Sequence, residues 1–179
     1  MATEIVIAPD ERLRTVCEPV ETIDDDVKKL AKRMAKAMYK YEGCGIAAPQ
    51  VGELKRIVVI DCEWGGEPGD KKNPLFLINP EIVEASEEKA VGAEGCLSVP
   101  GVSFDIERST SVVVRAYDLE GRLMQYEAAN NLFCVCLQHE IDHLHGITMF
   151  ERLDPADRLK AVRAYQEALE AGARPGDTE

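Results

Sequence analysis

No feature narrows the possible folds of this chain as far as the run His139-Glu140-Ile141-Asp142-His143. On an α-helix, residues at i and i+4 lie on one face about 6 Å apart, close enough to share one small cation. Neutral imidazole is a common metal ligand, and water bound to such a metal ionises more readily. A Glu directly after the first His can reach that water as a base. The run therefore asks for a helix late in the chain. Asn130 or Asn131 can cap it and Gly146 can end it. Leu132, Val135, Cys136, His139 and His143 then share one face, so apolar residues floor the surface that carries the two imidazoles.

The rest of the chain suits an α+β fold: antiparallel sheets packed around this central ligand-bearing helix, with one helix before them and one after. Asp24 to Glu42 is amphipathic, with Val27, Leu30, Ala31, Met34, Met38 and Tyr41 at spacings of three and four. The Asp24-Asp25-Asp26 run suits the positive end of its dipole. Arg56 to Cys62 reads as a strand, and Trp64 to Pro74 as a loop. Phe76-Leu77-Ile78 and Ile82-Val83 read as strand pieces broken by Asn79-Pro80. Val112 to Tyr117 and Leu123 to Ala128 form a hairpin around Asp118-Leu119-Glu120-Gly121. A last helix starts at Pro155, capped by Asp154. At 179 residues the chain is expected to fold as one catalytic domain over residues 1–171, with residues 172–179 as a flexible tail.

Composition excludes several classes. A chain of this length buries roughly 70% of its unfolded surface and needs no disulfide staples. With no basic, apolar leader at its start, it is expected in the cytoplasm, where its six Cys (17, 44, 62, 96, 134 and 136) are thiols or ligands. A net charge of −12 argues against non-specific nucleic-acid binding. The longest apolar runs, such as Ile57-Val58-Val59-Ile60, are too short to cross a bilayer.

A catalytic cation needs a third protein ligand. His145 falls on the wrong side of the helix, and Glu167 lies at a suitable distance downstream for a zinc peptidase. Cys96, in Glu94-Gly95-Cys96-Leu97-Ser98 just ahead of Val99-Pro100-Gly101, suits an exposed bend or an edge strand where a thiolate can face a pocket. Taken alone, Cys96 reads as a small buried residue. Gly43-Cys44-Gly45-Ile46-Ala47-Ala48-Pro49-Gln50 lets backbone pass close to another group and ends on an amide able to donate to an anion. A non-catalytic metal- or peptide-binding module is the other class to weigh, and Glu140 argues against it.

These three segments, in this order, resemble peptide deformylase, whose motifs are G-x-G-x-A-A-x-Q, E-G-C-x-S and H-E-x-D-H. The likeness runs from the Pro9-Asp10-Glu11-Arg12-Leu13-Arg14 opening to the ligand helix. It implies that Cys96, His139 and His143 hold one metal ion per chain and that Glu140 is the general acid/base. It implies that Gln50 and the Leu97 N–H are oxyanion donors. The implied ion is Fe(II), with nickel, cobalt or zinc able to replace it. The implied reaction removes the formyl group from formyl-methionine at the amino terminus of new polypeptides. The peptide is expected along Gly43, Cys44 and Gly45, and the methionine side chain against Leu132, Val135 and Cys136. Cys44 stands where the family commonly has a bulky aliphatic residue, and Ser103 where some members have an Arg. Asp142, pointing away from the two His, is read as a partner for Arg108 that ties the helix to the sheet.

Because the implied substrate emerges at the ribosome exit, that region is a candidate partner. The basic residues Arg152, Arg158, Lys160 and Arg163 are mixed with Glu167 and Glu170 and read more plainly as a solvated face. A monomer is expected.

Overall fold

The computed structural model describes residues 3–177. The first helix, α1 (Asp25–Lys40), is capped by Asp24, whose carboxylate accepts from Val27 N at 2.9 Å. Its apolar stripe, Val27, Leu30, Ala31, Met34 and Met38, is buried as the spacing requires. Strands β1 (Gly45–Ala47), β2 (Ile57–Ile60), β3 (Leu75–Ala85), β6 (Ser111–Tyr117) and β7 (Leu123–Ala129) form one antiparallel sheet in the order β1-β2-β3-β6-β7. All four residues of β2 are buried, which fits its place between two neighbours. Strands β4 (Lys89–Cys96) and β5 (Val99–Ser109) make a separate antiparallel hairpin.

One expectation is corrected here. Residues 76–83 are one strand rather than two pieces. β3 runs through Asn79-Pro80 because register shifts on either side of Glu81 absorb the interruption. Asn79 takes φ +51° there, and its side-chain amide clamps Val20 through bonds of 2.8 and 2.9 Å. The turn signal was real, but it marks a bulge inside a longer strand.

Helix α2 (Leu132–Leu144) is capped by Asn131, which accepts from Cys134 N at 2.8 Å. It is buried without a break from Cys136 to Leu144. Its apolar residues Cys134, Cys136, Leu137, Ile141 and Leu144 join the core built on β2, β3 and β6. Over this buried stretch most polar side chains need partners within the protein, and those that lack one stand out in the site.

A short helix, α3 (Met149–Arg152), and the last helix, α4 (Pro155–Glu170), cover β5 through a core of Val99, Val102, Ile106, Phe150, Ala161 and Tyr165. Tyr165 donates its hydroxyl to Ala8 O at 2.8 Å, which ties the last helix to the amino-terminal segment. Where the sequence leads one to expect a loose tail, Gly101 N donates to Asp177 O at 3.0 Å. Gly101 has φ +80° and no side chain, which lets Ala173 approach β5 closely. The last two positions of the expected tail lie outside the described residues.

Among the described residues, no helix is long and apolar enough to cross a membrane.

Candidate functional site

Two elements carry the site's charged residues. α2 supplies His139, Glu140, Asp142 and His143 on successive turns, and the end of β4 supplies Glu94 and Cys96. A register shift between Glu94 and Cys96 breaks the β4–β5 pairing beside the thiol. Such a bulge re-aims a side chain, and here it turns Cys96 toward the helix.

One ligand atom each from Cys96, His139 and His143 lies within 4.8 Å of the others. Cys96 Sγ is 3.4 Å from His143 Nε2, and the two imidazole centroids are 5.1 Å apart. A sulfur and a nitrogen bound to one tetrahedral ion stand about 3.6 Å apart, given metal–sulfur and metal–nitrogen bonds of about 2.3 and 2.1 Å. The set therefore fits a divalent ion in spacing and in donor chemistry. His145 and Glu167, the other ligand candidates, are exposed and outside the group.

The imidazoles are prepared differently. His139 Nδ1 bonds Glu94 Oε1 at 2.8 Å, which leaves Nε2 as its free nitrogen. Burial alone would lower the His139 pKa, but Cys96, Glu94 and Glu140 outweigh it and hold it well above the usual imidazole range. Burial, reinforced by His139, pushes His143 down to about 3, so it is neutral. His143 Nδ1 has no hydrogen-bond partner among the described residues.

Behind the imidazoles lies a buried ion network. Arg108 grips Glu94 with two bonds of 2.9 Å and reaches Asp142 at 2.5 Å. Arg152 closes on Asp142 from the other side. The expected Arg108–Asp142 pair is thus present. Sequence reasoning gave no role to Glu94 and left Arg152 on a solvated face. Glu94 had no local signal, because the irregularity between it and Cys96 breaks the two-residue alternation that would put both on one face. For Arg152 no local pattern announced the partner.

Glu140 is 4% exposed, and its Oε2 has no hydrogen-bond partner among the described residues. Burial raises its pKa to about 7, where a carboxyl can both take and give a proton near neutrality. Gln50, on the turn after β1, accepts from Ala47 N at 2.8 Å through Oε1. That bond fixes which end of the amide is which, so Nε2 points to Ser98 Oγ at 3.2 Å and Cys96 Sγ at 3.6 Å.

A cavity of about 190 Å³ opens over these groups, lined by Gly43, Cys44, Gly45, Gln50, Cys96 and Leu97, with His139 and Glu140 at its floor. A Cβ at Gly45 would stand 2.6 Å from both Cys136 Sγ and Glu140 Oε1, so a larger residue there would push those side chains aside. Leu132 and Val135 do not line this cavity. They border a neighbouring groove of about 440 Å³ between β4 and α2, with Val91, Gly92 and Glu94 opposite. Leu132 is 55% exposed there. Ser103 is exposed on β5.

Comparison with known proteins agrees with this architecture. Residues 2–159 match the family model described as polypeptide deformylase. A peptide deformylase from Rhizobium meliloti (strain 1021) is 42% identical over 164 residues, covering 92% of each chain. One from Alkalilimnicola ehrlichii (strain ATCC BAA-1101 / DSM 17681 / MLHE-1) is 43% identical, covering 94% of this chain and 92% of that relative. The crystal structure of a peptide deformylase from Legionella pneumophila superposes with a TM-score of 0.85 at 38% identity, over 96% of this chain and 99% of that one. Matched across nearly its whole length in sequence and in fold, this chain belongs to the peptide deformylase family.

Proposed function

We propose that this chain hydrolyses the formyl amide at the amino terminus of new formyl-methionyl polypeptides and releases formate, with Glu140 as its proton carrier. The observation that carries this reading is an unpaired, buried carboxyl set beside a Cys/His group at the floor of a cleft. Cys96, His139 and His143 would hold a divalent metal ion, Fe(II) in the native protein, with nickel, cobalt or zinc able to replace it. When bound, such an ion lowers the pKa of water and polarises a carbonyl.

The protein's own groups account for the rest. Glu140 accepts the proton of the attacking water at its carboxylate and later delivers it to the departing amine. Its pKa near neutrality suits both directions of transfer. As the carbonyl oxygen gains charge, Gln50 Nε2 and the Leu97 N–H donate to it. One such donor is typically worth about 3 kcal/mol in the barrier. Glu94 holds His139 in one tautomer and orientation, and Arg108 holds Glu94.

The peptide would lie along Gly43, Cys44 and Gly45 as an added strand, its backbone free to pair at the outer edge of β1. The methionine side chain would enter the groove between β4 and α2, against Leu132 and Val135, with Cys136 packed beneath Gly45. Formate release from formyl-Met-Ala, compared between the wild type and Glu140→Ala at equal metal content, tests the reading. Release by the wild type and loss in the variant are expected.

A further inference from the structure

Cys44, Cys62 and Cys136 form a second cluster that the proposed reaction does not require. Cys44 follows α1, Cys62 follows β2, and Cys136 lies on α2, so three separate elements bring three sulfurs together. One sulfur from each lies within 4.8 Å of the other two, and Cys44 and Cys136 are 3.9 Å apart. Other cysteines of the chain behave differently. Cys17 and Cys134 point their thiols at backbone carbonyls, as structural thiols do.

We propose that these three cysteines bind a soft, thiophilic cation at a site separate from the Cys96, His139 and His143 group. Three sulfurs bonded to one ion at about 2.3 Å stand about 3.8–4.0 Å apart, in either trigonal or tetrahedral geometry. The 3.9 Å between Cys44 and Cys136 already has that value, and Cys62 needs to move by less than about 1 Å to match it. A disulfide requires about 2.05 Å, so the same pair would have to close by nearly 2 Å, and the third thiol would be left over. An all-sulfur donor set selects copper(I), zinc or cadmium over hard cations. Hydrogen bonds within the trio lower the pKa of Cys44 while Cys44 and burial raise those of Cys62 and Cys136, as expected of three thiols that share protons at close range. On binding, the S–H bonds release their protons to solvent as the sulfur–metal bonds form. Cys44 also lines the substrate cleft, so the ion would sit in its wall.

The test is a cadmium titration of protein that already carries one nickel ion per chain, kept oxygen-free with a non-thiol reductant. The expected result is one further equivalent of cadmium, with sulfur-to-cadmium charge-transfer absorption and full retention of nickel. Cys62→Ser and Cys62→Ala should each lose that equivalent while keeping the nickel. Cadmium NMR of the wild type should give an additional resonance in the range of all-thiolate coordination, a readout that needs no variant to fold. The site is refuted if the wild type takes up no cadmium beyond displacement of nickel. Undiminished uptake by folded Cys62 variants, or a resonance showing nitrogen or oxygen coordination, refutes it equally.

Discussion

The role proposed for Glu140 follows from a buried carboxyl oxygen, Oε2, that has no hydrogen-bond partner among the described residues. A carboxyl 4% exposed, with one oxygen unpartnered, is unfavourable for folding and favourable for moving protons. Glu140→Gln keeps the shape and removes the titration, so kcat/KM should fall by about 10³-fold, within the usual range for an acid–base group. Metal content by elemental analysis should not change. A tenfold loss or less would make Glu140 a structural residue. Gln50→Ala should lower kcat by about 10²-fold through the lost donor, with KM little altered. At this scale the sequence was legible for the helical half of the Cys/His group, because His139 and His143 announce themselves by their i, i+4 spacing. Cys96 was not legible alone. A thiol at a strand end faces the neighbouring helix only when a bulge turns it, and no local pattern encodes that turn.

Between elements, the junction of β4 and α2 rests on Arg108 and its two carboxylates. All three are nearly excluded from water, with side chains 5–10% exposed. Removing one partner from such a network strands the others, at a cost of about 3–5 kcal/mol. Arg108→Met should therefore lower unfolding stability in urea by about that amount and loosen metal retention, since His139 loses the support behind Glu94. A change under about 1 kcal/mol would show that solvent reaches the network. The same network sets an acid limit. Burial alone would raise the pKa values of Glu94 and Asp142, but hydrogen bonds from His139 and Arg108 to the first, and from Arg152 and Arg108 to the second, hold them low. Their folded pKa values lie below the unfolded ones, so the stability they add is full at neutral pH. It is lost as pH falls below about 4 and through the folded values. Metal-free protein should show this as steepening acid unfolding, and Arg108→Met should blunt it. Sequence reasoning found the Arg108–Asp142 pair but not the double grip on Glu94, which depends on how β4 pairs with β5. It likewise read β3 as two pieces, since a Pro-containing bulge and a true strand end look the same locally.

Across the molecule, the chemistry sits between two sheets, and the last helix braces the hairpin that carries Cys96. Tyr165→Ala should remove about 3 kcal/mol of stability by opening a cavity beside Phe150 and freeing the amino-terminal segment. The protein that remains folded should keep its kcat/KM, which separates bracing from catalysis. The α+β class, the first and last helices and the β6–β7 hairpin were readable from the sequence pattern, whereas β1 and the β4–β5 hairpin that carries Cys96 were not. The docking of residues 173–177 onto β5 and beside the cleft was not, because it depends on the close approach that Gly101 allows. The decisive measurement is formate released from formyl-Met-Ala by anaerobically purified protein, with metal content determined on the same samples for the wild type, Cys96→Ala and Glu140→Ala. We expect one ion and rapid formate release in the wild type, neither in Cys96→Ala, and the ion without the activity in Glu140→Ala. Metal retained at full stoichiometry in Cys96→Ala, or formate release by the wild type no faster than by Glu140→Ala, would contradict the account.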